Sequence, residues 1–563
     1  MSSSSKLLHQ GPVESDRARR ASRPSRLARV DGVDAVRVAL WCAVSAVILL
    51  PLGALLALAF SQNRLELLLT GDVAQAGLNS IVSASVSALF AVIVGTVIAL
   101  LLDRSDLPGR RVLRLFALSP LLVPPFVGAI AWIGIAGPAA PVNTLWTQWF
   151  GSPLWNIYGG DGVVFLLTVH SYPVAYIIVA AALRRVPSDL EQAARISGAS
   201  IGSAVRHITL PLLRPAFLSA FTLIAVSNLA DFGIPSIIGL PERYVTLSTL
   251  VYRYIQSGTV DDPLQVVATV GAILMLCAVV AMIVDILAAR STWELDASAS
   301  PAQLLGLGRW RLATTVTTWG TLLALTVLPL LALISQALLP APGIPLTLQN
   351  ITLDNLKRAT TSPNAIAGAG NSIMLSVLAG VICTVLGLAI GTLVTRTRAR
   401  SNGILRAVAM LPQALPGLVI AVSWLIIAPR IGLFNTPWLI LCAYVMAFIA
   451  LVVQSVSAPL RSTPLTAEEA ARASGASRLR ALVDISWRMA IPAAIAGGTL
   501  VVLTAVRELT ISVLLLAPGS QTLGVTIFSL QQAGSYNAAS ALSLVVTVLG
   551  LAGLGLTARQ SRR

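Results

Sequence analysis

The sequence predicts an all-α polytopic membrane protein with about 12 transmembrane helices, arranged as two parallel six-helix repeats. Three observations predict it. The 563-residue chain is 56% hydrophobic and only 11% charged, where a soluble domain carries about 25% charged residues. Twelve apolar runs approach the roughly 20 residues that cross about 30 Å of hydrocarbon. Two polar stretches 277 residues apart, 187–200 and 464–477, also read almost alike.

In order, the runs lie near 38–60, 78–102, 115–136, 163–183, 211–232, 264–289, 313–339, 369–394, 404–428, 436–457, 491–515 and 538–558. Residues 1–36, rich in Ser and Arg, read as a disordered cytoplasmic tail. Residues 37–290 form the first six-span half, 291–312 a cytoplasmic linker, and 313–563 the second half. The first run is long for a secretory signal and no small-residue cleavage site follows it, so it reads as a retained span.

The net charge of +16 does not point to nucleic acid. With a cytoplasmic N-terminus, the external basic residues are Arg64, Arg243, Arg253, Lys357, Arg358 and Arg430, and Arg507 falls within a span. The others lie in cytoplasmic segments or, as Arg214 and Arg406 do, at the cytoplasmic ends of runs, which is a topology signal because basic residues near span ends resist translocation. Both termini are therefore expected inside. Cys42, Cys277, Cys383 and Cys442 fall singly in spans and read as packing residues. The three histidines are scattered, so no metal site is expected.

The duplication extends beyond the twin stretches. Asn79-Ser80 matches Asn371-Ser372, Gly95 matches Gly387, Pro120 and Pro124 match Pro412 and Pro416, and Trp132 matches Trp424, all offset by 292. Downstream, Pro187/Pro464, Gly198/Gly475, Ile208/Ile485, Pro215/Pro492, Asp231/Glu508 and Pro241/Pro518 are offset by 277. The change of 15 places extra material in the first half, read as an external loop over 137–162 with Trp146, Trp149, Trp155 and Tyr158. An interfacial aromatic belt is the favoured reading, a docking surface for an external partner the alternative. Equivalent points are six spans apart, so the halves run the same way, related by an axis along the membrane normal.

Each twin stretch predicts a short helix. Pro187 and Pro464 stand just ahead of it, acidic residues occupy its first turns, and Gly198 and Gly475 end it. The pattern resembles the signature loop of ABC-importer permeases: Glu-Ala-Ala, three residues, Gly, nine residues, Ile, one residue, Leu-Pro. The first copy has Gln192-Ala193-Ala194, Gly198, Ile208 and Leu210-Pro211, with Glu191 beside the substituted Gln192. The second has Glu469-Ala470-Ala471, preceded by Glu468, then Gly475 and Ile485, with Trp487-Arg488 in place of Leu-Pro. The resemblance implies a coupling helix that docks on separate cytoplasmic ATPase subunits, two copies expected, and an external substrate-binding protein. An amphipathic interfacial helix is the plainer reading, but it leaves the shared spacing unexplained. The chain lacks a phosphate-binding Gly-x4-Gly-Lys-Ser/Thr loop, since its only lysines are Lys6 and Lys357. It is therefore expected to be no enzyme and to bind no cofactor, with ATP used by the partner. The resemblance also implies the bacterial cytoplasmic membrane.

Ionisable groups inside spans are functional candidates. Asp285 lies near a span end close to Arg290 and reads as snorkelled or paired, whereas Asp231 and Glu508 are equivalent in the two halves. Phe232-Gly233-Ile234-Pro235 should break the helix after Asp231, and irregular backbone at depth lines a cavity or is buried in protein. The external end of the pathway is therefore expected around Asp231, Gly233, Pro235 and Glu508. The alternative is that Arg507 pairs with an acid across the halves.

Leu229-Ala-Asp231-Phe232-Gly233-Ile-Pro235, then Arg243-Tyr-Val-Thr-Leu247, and Arg507-Glu508-Leu509 leading to Pro518, resemble fused ferric-iron importer permeases. Related permeases carry thiamine, aminoethylphosphonate or polyamines. An ion-coupled secondary transporter is a further alternative, which does not account for the twin loops. An intramembrane enzyme would need paired catalytic groups, and the sequence offers none.

Overall fold

The computed structural model describes residues 32–61, 71–257, 262–290 and 306–560. Among these, every regular element is helical. Most of the expected tail and linker, and the side chain of Asp285, lie outside the described residues. The last residues assigned to the tail are helical instead, because a helix begins at Gly32 and runs to Val44.

Among the described residues, nine helices are long and apolar enough to cross a membrane, or up to 11 if two bent pairs each count as one span. The last expected run falls in the Tyr536–Gln560 helix. The sharper bend has a local cause. In the third span of the second half, Ser401–Ala414 and Gly417–Ile431 meet at 108°, and Pro416 between them is extended at φ −55°, ψ 137°. Pro124 at the matching place has φ −56°, ψ 141°, and the helix there stops at Leu118 and resumes at Pro125. Proline lacks the donor that would continue a helix and holds the residue before it out of the helical region.

In each half the second span packs along the fourth: Gly71–Arg104 on Gly160–Leu183, and Pro363–Arg396 on Pro437–Ser462. The matched glycines sit at these crossings. A Cβ at Gly95 would lie 2.7 Å from that of Ala175, and one at Gly387 2.7 Å from that of Val452. Small residues permit such close backbone approach, the main source of helix adhesion in lipid.

The first span of each half crosses to the other half. Leu50–Ser61 packs on Gly417–Ile427, and Arg311–Leu338 on Arg110–Leu118 and Pro125–Ala136. Trp319 meets Phe116 edge-on at 6.1 Å. One apolar core consequently runs through both halves.

The extra material of the first half is not a plain loop, since it contains the helix Pro141–Phe150. Proline at its first position and Gly151 just past its end, at φ 76°, fit the usual asymmetry of helix ends. Asn143 pins it, donating to the carbonyls of Gly137 and Trp155 at 2.9 and 2.6 Å. Its Trp149 remains 77% exposed, while Trp155 donates to Asp161 at 2.7 Å.

Candidate functional site

The twin stretches fold as one motif made twice. The helices are Ser188–Ile196 and Leu465–Ala473. Each ends at its glycine, Gly198 at φ +90° and Gly475 at φ +93°. In the first, Gly198 donates to Arg195 O and Ala199 to Ala194 O, both at 3.0 Å. In the second, Gly475 donates to Arg472 O and Ala476 to Ala471 O, again at 3.0 Å. These bonds satisfy the last carbonyls of the helix, and they require a left-handed residue that glycine supplies without strain. Ser200 and Ser477 then cap the return helices by accepting from the amides of Ser203 and Arg480.

The predicted loop residues divide by face. Glu191 and Glu468 are buried, whereas Ala193, Glu469, Ala470, Gly198 and Gly475 are exposed, and Gln192, Ala194 and Ala471 are half-buried. Leu190 and Leu465 are exposed beside them, and Ile196 is 88% exposed at the end of the first helix.

The two inward carboxylates meet partners the sequence did not reveal. Glu191 Oε2 lies 3.4 Å from Arg104, and its Oε1 accepts from Thr209 at 2.5 Å. Glu468 Oε1 lies 3.1 Å from Arg396 and also accepts from Ser486. Arg104 further donates to the carbonyls of Leu183 and Val186, and Arg396 to that of Thr463. Arg104/Arg396 and Thr209/Ser486 follow the 292 and 277 offsets, so the whole cluster is duplicated.

Asp231 and Glu508 both stand where a helix stops. The fifth spans end at Leu229 and Val506. Asp231 Oδ1 accepts from the amide of Ile234 at 2.9 Å. Glu508 accepts from Ile511 at 2.8 Å and Ser512 at 3.2 Å. Each acid thus caps the segment that follows, satisfying free amides at a helix start. Pro235 opens the turn Pro235–Gly239, and a Cβ at Gly233 would come within 3.0 Å of Phe126 Cβ.

Arg507 does tie the halves, but not through an acid. It donates to the carbonyl of Leu121 at 2.9 Å, and no ion pair involves it, Asp231 or Glu508 among the described residues. The carboxylates are already occupied by backbone amides, which leaves the exposed lone pairs of a broken helix as its partner.

The segments beyond the acids are clamped to the second spans. Asn79 donates to Val245 O at 2.8 Å, and Ser80 accepts from the amide of Leu247 at 2.8 Å. Asn371 donates to Gln521 O at 2.9 Å, and Ser372 accepts from Leu523 at 2.8 Å. Between the halves, Phe232, Tyr252 and Phe528 form an aromatic cluster with centroids 5.2 to 5.8 Å apart. Glu508 also borders a cavity of about 390 Å³ with Gln413, Phe448 and Thr504. The wall of that cavity does not include Asp231.

Comparison with known proteins gives the same two-half division. The family described as binding-protein-dependent transport system inner membrane component matches residues 91–293 and 383–563. The Fe(3+)-transport system permease protein FbpB 2 of Haemophilus influenzae is 24% identical over 81% of this chain and 84% of its own length. The probable ABC transporter permease protein y4fN of Sinorhizobium fredii is 26% identical over 72% of this chain and 73% of its own. The molybdenum transport system permease protein ModB of Escherichia coli is 30% identical over 34% of this chain and 83% of its own. Matched once in each half and over most of its length, the chain belongs to the binding-protein-dependent transport system inner membrane components, the permease subunits of ABC transporters.

Proposed function

We propose that the chain is the membrane pathway of an ATP-driven importer of ferric iron delivered by an external binding protein. The observation that carries the importer reading is the duplicated loop, with the same glycine geometry in both copies. Two equivalent handles suit two copies of a separate ATPase, with Leu190, Ile196 and Leu465 as apolar contacts. Support for iron comes from relatives named for ferric transport that match about four-fifths of this chain. Closure of the ATPases would draw the loops together and open the seam between the halves at the other end. Asp231, Gly233, Pro235 and Glu508 border that seam as its outer end, beside the aromatic cluster.

The test is co-expression with the ATPase and binding protein encoded nearest to this chain, followed by reconstitution into vesicles. Co-purification of the ATPase and ATP-dependent uptake of radiolabelled ferric ion, supplied on the binding protein, are expected. Uptake of molybdate or thiamine in place of iron would retain the importer and replace its substrate. Uptake without any ATPase would sink the importer reading. Orientation is tested by cysteine labelling in a background lacking the four native cysteines. A cysteine at Ser152 should react with an impermeant reagent from outside and one at Ser203 should not, placing both termini on the ATPase side.

A further inference from the structure

We infer that the second span of each half is a transmission rod, clamped to the coupling loop at one end and to the segment beyond the broken fifth span at the other. The inference rests on reading the twin loops as the docking elements. At the loop end, Arg104 closes the Gly71–Arg104 span and meets Glu191 in the loop helix, while Thr209 of the return segment donates to the same carboxylate. One buried glutamate therefore joins three elements. At the far end of the same span, Asn79 and Ser80 bond the backbone of Val245 and Leu247. Between Asn79 and Arg104 the helix covers about 37 Å at 1.5 Å per residue.

The second half repeats both clamps, Arg396–Glu468–Ser486 at one end and Asn371-Ser372 on Gln521 and Leu523 at the other. A buried ion pair seldom adds stability over apolar packing, and its better attested use is to fix geometry. Two such pairs with the same third partner, on spans with the same far-end clamp, are what a rigid linkage requires. A helix that docked without them would tilt on its glycine turn and leave the span behind. Arg104 and Arg396 are thus positioning residues, acting through Glu191 and Glu468.

The experiment uses the complete complex with spin labels at two pairs of exposed positions, Ser197 with Ser474 on the loops and Gln256 with Gln532 beyond the breaks. In the wild-type background both distances are expected to change on adding ATP. Arg104→Met combined with Glu191→Leu removes the loop clamp of the first half, and Asn79→Ala combined with Ser80→Ala removes its far clamp, so neither double variant strands a buried charge. In each, the loop distance should still change and the far distance should not, while the ATPase stays bound and hydrolyses ATP with uptake lost. Thr209→Ser, which copies Ser486 and keeps both clamps, should respond at both ends as wild type does. A far distance that responds as in wild type in both variants would overturn the rod. Silent loops in the wild-type background would instead overturn the docking reading beneath it. Neither distance depends on which substrate is carried.

Discussion

The two halves share their clamps but not what surrounds them. In the first, Asp103 beside Arg104 gathers Arg114 at 2.9 Å, Arg184 at 3.4 Å and the Tyr176 hydroxyl at 3.1 Å. In the second, Thr395 takes that place and its hydroxyl turns back onto the carbonyl of Gly391. Deeper in, Asn228 donates to Ser87 and accepts from Ser171, at 2.9 and 2.8 Å. The matching residues are Ala379, Phe448 and Ala505. The first half is cross-linked by polar groups where the second is packed with apolar ones. What both copies retain is the loop, the arginine–glutamate pair and the asparagine–serine clamp, so these belong to the working parts and the rest to local packing.

The largest expected effect breaks the pair where it stands alone. Arg396→Met should strand Glu468 and cost about 3–5 kcal/mol, seen as a lowered melting temperature of the purified complex. Arg104→Met should cost less, because the Asp103 cluster still holds the span end to Arg114 and Arg184. Asp103→Thr, which copies the second half, should make Arg104→Met as damaging as Arg396→Met. Equal losses without that change would remove Asp103 from the account.

Next come the loop glycines. An alanine at Gly198 or Gly475 must adopt a positive φ, at a cost of roughly 1–2 kcal/mol, and the two costs should match because the angles differ by only a few degrees. ATPase co-purification should fall alike in both variants with spans intact. A strong effect in one half only would show unequal docking.

Smaller effects separate charge from capping. Asn also caps helices well, so Asp231→Asn should keep stability, while Asp231→Ala should lose about 1 kcal/mol. Ferric uptake by Asp231→Asn then reports the charge itself, and normal uptake would remove Asp231 from the pathway. The smallest change is Asn228→Ala, near 0.6 kcal/mol by analogy with other hydrogen bonds between membrane helices. A thermal shift beyond a few degrees would mean that the polar triad does more than pack.

Much of the architecture was legible because prolines, glycines and offsets survive in a duplicated chain. Pro124 and Pro416 stand out in the sequence only as a matched pair, as do Gly95 and Gly387, and the structure puts the first pair at breaks and the second at helix crossings. The site was legible only in part. Glu191 and Gln192 adjoin in the signature loop, yet neighbours on a helix point about 100° apart. Which of them faces inward is decided by Arg104, 87 residues earlier. Asn79-Ser80 stood out as a repeat with no visible purpose because Val245 lies 166 residues away. The break after Asp231 is legible in Gly233 and Pro235, whereas the capping of Ile234 and Ile511 by the two acids is not, because hydropathy does not show which amides a helix end leaves free. The insertion helix did carry a signal, Pro141 and Gly151 at its ends, which the density of tryptophans obscured.

The exchanged first spans bear on how the protein is made. Leu50–Ser61 packs on Pro263–Arg290 of its own half, but its other partner exists only when Gly417–Ile427 has been synthesised. At about 5–20 residues per second that delay is on the order of 20–70 s. For that time the first span must rest in lipid, with the surface meant for the second half uncovered. A chain truncated within the second half would leave this surface open for good, marking the product as incomplete to any protease that surveys the bilayer.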